Sequence, residues 1–62
     1  MYELFIGNYE KVMGSTAYRK SGKNFIPGIV IAYDFKSRKY TLTLGNNKTI
    51  KTTKIYIKRR DL

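Results

Sequence analysis

The sequence contains no cysteine, no histidine and no tryptophan, a single proline, and only four acidic residues in 62 positions. Without Cys or His there is no disulfide framework, no thiolate or imidazole metal ligand, no Cys nucleophile and no His base. The four acids, Glu3, Glu10, Asp34 and Asp61, are scattered along the chain and give no paired-carboxylate site, so the expectation is a non-enzymatic protein without a cofactor. No window approaches the ~20 apolar residues of a membrane-spanning helix, and the opening MYELFIGNYE lacks the basic flank and long apolar stretch of a signal peptide. No membrane partner is therefore expected. A cysteine-free chain is compatible with a reducing cytosol, and the expected location is cytoplasmic, in the host cytoplasm if a phage encodes it.

What is present is charge of one sign. Thirteen Lys and Arg give a formal charge of +9, a density that points to a polyanionic partner. Hydrophobic residues at 42% and aromatics at 15% are too many for a disordered basic tail, so the chain should fold. Its length bounds it to one small domain, residues 1–62. A core of this size seldom supplies more than ~3–5 kcal/mol, and nothing here can staple it covalently or with zinc.

Residues 26–57 are dense in Ile, Val, Thr and Tyr with turn residues between the apolar runs, which reads as a β-meander. In Tyr40-Thr41-Leu42-Thr43-Leu44 the apolar side chains recur every second position, so Tyr40, Leu42 and Leu44 face inward and both threonines outward. A three-residue loop, Gly45-Asn46-Asn47, then pairs Leu42 with Ile50 and Tyr40 with Thr52, with Asn47 in the left-handed conformation. Residues 28–33 form a central strand apolar on both faces, and Pro27-Gly28 marks its start or a bulge. In the last strand, residues 54–58, Ile55 and Ile57 point inward and Lys54, Tyr56 and Lys58 outward. The first third is ambiguous: Phe5, Tyr9, Val12 and Met13 fall at helical spacing, while Tyr2, Leu4 and Ile6 alternate. Two short strands are expected there, followed by a long loop over residues 14–24.

Residues 23–59, KNFIPGIVIAYDFKSRKYTLTLGNNKTIKTTKIYIKR, resemble the Tudor-like branch of the Src-homology-3-like barrels through Phe25, Pro27, Gly28, Val30, Asp34, Tyr40, Leu42, Leu44, Gly45, Ile50 and Ile55. With residues 7–12 as the first core strand, the resemblance implies an all-β fold, a small five- or six-stranded barrel. It also implies a binding role, to methylated Lys or Arg in an aromatic cage or to DNA, RNA or a protein surface.

Four sets of residues are candidates for that role. Residues 35–62 hold nine basic residues against Asp61, whereas residues 1–34 hold four against three acids. On alternating strands Lys39, Thr41, Thr43, Lys51, Lys54, Tyr56 and Lys58 can share one outward surface offering charge to phosphates and a Tyr for stacking, against the bland reading of solvated outer residues. Arg59 and Arg60 extend it as an arm or lie as a solvated end. Tyr18, Tyr33 and Phe35 either form an aromatic rim for bases or a methylated cation, with Asp34 as counter-charge, or cap the core. Arg19, Lys20 and Lys23 form a basic loop; its Ser-Gly-Lys lacks the spacing of a nucleotide-binding loop.

The leading expectation is a monomer or weak homodimer that binds nucleic acid, DNA or RNA, mainly through phosphates and with modest sequence preference. The alternatives are a phage- or mobile-element-type interaction module docking on an acidic host protein, and a Tudor-like reader of methylated residues, which needs Tyr18, Tyr33 and Phe35 together.

Overall fold

Tyr40-Thr41-Leu42-Thr43 folds as its alternation dictates. The structure, a computed structural model, describes residues 1–59, and in it Tyr40 and Leu42 are buried while Thr41 and Thr43 stay partly open to solvent. These residues lie in β4 (Lys39–Thr43), one of six strands that also include β1 (Tyr2–Leu4), β2 (Thr16–Ser21), β3 (Asn24–Asp34), β5 (Thr49–Thr52) and β6 (Tyr56–Lys58). All neighbours are antiparallel, in the order β1-β6-β2-β3-β4-β5. The all-β expectation is met by this six-stranded sheet. It is open rather than closed: among the described residues no strand pairing joins β1 to β5.

The β4–β5 register is the expected one, with Leu42 opposite Ile50 and Tyr40 opposite Thr52, and the Leu44 N–H donates to the Lys48 carbonyl at 2.7 Å. Both Asn46 (φ 71) and Asn47 (φ 60) take the left-handed conformation that Asn tolerates better than most residues. β3 is central, pairing with β2 through its first half and with β4 through its second. It runs straight through Pro27, which lies in the half that has no partner on the β4 side, where a missing N–H leaves no ladder bond unmade. The bulge falls later, between Val30 and Ala32. β3 is not apolar-buried on both faces: Val30 and Gly28 are buried, whereas Ile29 and Ile31 are 45% and 47% exposed.

The first third differs most from expectation. Residues 7–12 hold no strand. Tyr9–Lys11 is a 3₁₀ turn capped by Asn8, whose side chain accepts from the Glu10 N–H, and the Tyr9 carbonyl accepts from both Val12 and Met13. That turn accounts for the helical spacing of Tyr9, Val12 and Met13. Residues 14–24 are not a loop, since Thr16–Ser21 forms β2, paired on one side with β3 and on the other with β6. Arg19 and Lys20 accordingly sit in a strand; only Lys23 is in a turn. The β2–β3 connection is two residues, Gly22-Lys23, with Ser21 opposite Asn24. Gly22 at φ 60 in the first central position is what a type II′ hairpin requires.

The core gathers Val12, Ala17, Val30, Tyr40, Leu42 and Ile55, with Phe5, Tyr9, Tyr33, Ile50 and Ile57 packed around it. Full burial of Leu42, Ile55 and Val30 contributes about 1.5–3 kcal/mol for each side chain. The tightest place is Gly28, opposite Ala17. A Cβ added there would lie 3.0 Å from the Leu42 Cβ and 3.2 Å from both Leu44 Cδ2 and the Thr43 carbonyl oxygen. Gly28→Ala is therefore expected to destabilise the protein by about 1–3 kcal/mol through overpacking. Gly45→Ala, where a Cβ meets nothing within 4 Å, changes stability by less than about 0.5 kcal/mol. Urea melts of the two variants check the contrast.

Candidate nucleic-acid interface

Directly opposed residues of an antiparallel pair point to the same face, so the registers assign every strand residue to one side of the sheet. Ala17, Gly28, Val30, Leu42, Ile50 and Ile57 lie on the core side. The opposite side carries Tyr2 and Leu4 from β1, Tyr56 and Lys58 from β6, and Thr16, Tyr18 and Lys20 from β2. It continues through Phe25, Pro27 and Ile29 of β3, Lys39, Thr41 and Thr43 of β4, and Thr49 and Lys51 of β5.

Of the expected basic surface, Lys39, Thr41, Thr43, Lys51, Tyr56 and Lys58 thus share one face. They do not form one cluster, because β2 and β3 separate β6 from β4 and β5. Thr41 stands opposite Lys51, with Lys39 and Thr43 two positions to either side and the exposed Ile29 opposite Thr43. Lys54 follows β5 and, with Lys20, Thr53 and Tyr56, lines an open pocket of about 370 Å³. The Thr52 hydroxyl donates to the Lys54 carbonyl at 2.8 Å and orders that turn. Arg59 leaves the face: its guanidinium reaches both oxygens of Glu3, at 3.0 and 3.2 Å, the only ion pair among the described residues. With both side chains solvent-accessible this pair contributes about 0–1 kcal/mol. Arg60 lies outside the described residues.

Tyr18, Tyr33 and Phe35 do not converge. Tyr33 and Phe35 meet at 5.1 Å between ring centres and are joined by Tyr9, stacked on Tyr33 at 5.4 Å and edge-on to Phe35 at 5.1 Å. Tyr33 also leans on the buried Tyr40, so it caps the core, while Phe35 remains largely exposed. Burial, with the neighbouring Tyr33 phenol second, raises the Tyr40 phenol above its ordinary value of 10.0. Tyr9 and Tyr33 are stacked on each other, so no group sits between those two rings. Both rings, with Phe35, Tyr40 and Glu10, line an open pocket of about 570 Å³.

Tyr18 belongs to a second set of rings on the outer face. Tyr2 stacks on Phe25 with centres 4.0 Å apart and planes at 10°, Tyr18 meets Tyr2 edge-on at 4.8 Å, and Phe25 meets Tyr56 edge-on at 5.3 Å. All four are half-buried. Sequence reasoning missed Tyr2 and Phe25 as surface residues, because their partners come from strands distant in the chain. The one local signal was the strict alternation of Tyr18-Arg19-Lys20 with Ala17 inward, hidden by its lack of large apolar residues.

Asp34 ends β3. Its Oδ1 accepts the Lys36 backbone N–H at 2.9 Å, and this bond, helped by the Ser37 hydroxyl and the Lys51 charge, holds its carboxyl below the ordinary value of 3.8. Comparisons of the chain with protein-family models, curated proteins and solved structures gave no match.

A depressed carboxyl stabilises its turn at neutral pH, above the unfolded value, and that contribution disappears as the pH falls through the lower folded value. The Lys36 amide resonance, followed by NMR as the pH is lowered, is expected to titrate with a midpoint below 3.8. Asp34→Asn, which keeps an acceptor oxygen at that position, removes the titration.

Proposed function

We propose that this chain is a non-enzymatic nucleic-acid-binding protein that meets the phosphate backbone with the outer face of its sheet. The observation that carries the reading is the register: it turns Lys20 and Lys58 on one half of the sheet, and Lys39 and Lys51 on the other, to the face away from the core. Asp34, opposite Lys39, is the acid at one end of that face. Polyanions are drawn to such a surface and exchange condensed counterions for lysine, which makes binding strongly salt-dependent. Thr and Lys bind phosphate without reading base edges, so sequence preference is modest.

The fold is read as a Src-homology-3-like, Tudor-like barrel. Support comes from the meander β2–β3–β4–β5 with β6 returning beside β2. A second reading, docking on an acidic host protein, draws on the exposed Ile29, opposite Thr43, and on the exposed Ile31 in the adjoining bulge. Recovery of partners from nuclease-treated lysate separates the two, since a protein partner survives the nuclease.

Replacing Lys39, Lys51 and Lys58 by Gln is expected to lower affinity for all sequences alike. The slope of log affinity against log salt becomes shallower by about 0.7–0.9 for every phosphate that is no longer neutralised. Fluorescence anisotropy of labelled oligonucleotides across a salt series measures both, and an unchanged slope removes this face from consideration.

A further inference from the structure

The two halves of the outer face are chemically different. The half built from β4, β5 and the end of β3 carries Lys39, Lys51, threonines and Asp34. The half built from β1, β6, β2 and the start of β3 carries four rings and no acid: Tyr2, Tyr18, Phe25 and Tyr56, beside Leu4 and Pro27. Lysines stand at its ends. Lys58 is directly opposite Tyr2, Lys20 is directly opposite Phe25, and Lys54 shares the pocket of Lys20 and Tyr56. The main core lies on the other side of the sheet, so these rings are not needed to fill it.

A solvent-facing sheet surface normally alternates to polar residues. Here it presents a contiguous apolar and aromatic patch, with each ring keeping part of its surface in water. The Tyr2, Tyr18 and Tyr56 hydroxyls make no side-chain hydrogen bond among the described residues, so they too are open to a ligand.

Aromatic platforms bordered by cations suit unpaired bases. In a duplex each base face is covered by its neighbours, and only the phosphates and groove edges are presented; a ring patch gains nothing from it. In a single strand every base offers a π-face, and stacking is tolerant of sequence. Resting on the nucleic-acid reading above, we infer that the preferred ligand is single-stranded, its bases lying on the Tyr2, Tyr18, Phe25 and Tyr56 patch and its phosphates meeting Lys20, Lys54 and Lys58. The β4–β5 half then holds phosphates that flank the stacked bases.

The test compares labelled single-stranded DNA with duplex DNA of the same length at one salt concentration, using the full chain and the variant Tyr18→Leu/Tyr56→Leu. Leucine keeps apolar volume against Tyr2 and Phe25 but removes the stacking surface. The expected results are tighter binding of the single strand and a drop of about tenfold or more in its affinity in the variant, with duplex affinity unchanged. Because the chain has no tryptophan, tyrosine emission of the unsubstituted protein gives an independent readout, expected to be quenched by the unlabelled single strand and not by the duplex. Equal or tighter duplex binding, or absence of this quenching on bound single strand, overturns the inference while leaving the nucleic-acid reading in place. Failure to bind either form overturns both.

Discussion

The close approach of Gly28 to Leu42 is the constraint on which the rest of the sheet depends. β3 serves two partners in succession, β2 with its first half and β4 with its second, and Gly28 sits at the handover. A residue without a side chain lets Leu42 and Leu44 lie this close without displacement, and Ala17 opposite it is nearly as small. This close packing lies beside a core in which Leu42 and Val30 meet Ile55 and Val12, in a short chain without cysteine. Pro27 immediately before it costs nothing, because that half of β3 has a partner on one side only.

The outer face has two halves, one on each side of the point where β3 passes from β2 to β4. Strands on the β4 side of Gly28 present threonine and lysine at spacing set by a regular hairpin. Strands on the β2 side are twisted enough for Tyr2 and Phe25, whose strands are separated by β6 and β2, to stack directly. The ring patch is thus a product of sheet curvature, and it also pins the three-residue β1 to the rest of the molecule.

How far the sequence could be read follows from which signals are local. The β4–β5 hairpin was legible down to its register, because alternation and an Asn-rich turn are encoded within a dozen neighbouring residues. The direction of Ile55, Tyr56 and Ile57 was legible for the same reason. β2 was not: Thr16–Ser21 has Ala17 as its one buried side chain, and its strand character comes from being flanked by β3 and β6 rather than from apolar periodicity. Among the candidate residues, Lys39, Thr41, Thr43 and Lys51 could be grouped from spacing alone. The separation of Tyr18 from Tyr33, the engagement of Arg59 by Glu3 and the joining of Tyr9 to Phe35 depend on long-range topology that no local pattern contains.

β1 joins the sheet through pairing between the two extremes of the described chain, where Glu3 and Arg59 meet across 56 positions of sequence. β1 is a three-residue strand paired on one side only, to β6, so its backbone adds few ladder bonds to the sheet. When β1 lifts away, the edge passes to β6, and the backbone groups of Tyr56–Lys58 that had been satisfied on the β1 side become unpaired there. Either border, β1 or β6, presents unpaired backbone groups to which a further strand can pair. The stacking of a single tyrosine, Tyr2 on Phe25, helps decide which of them solvent sees.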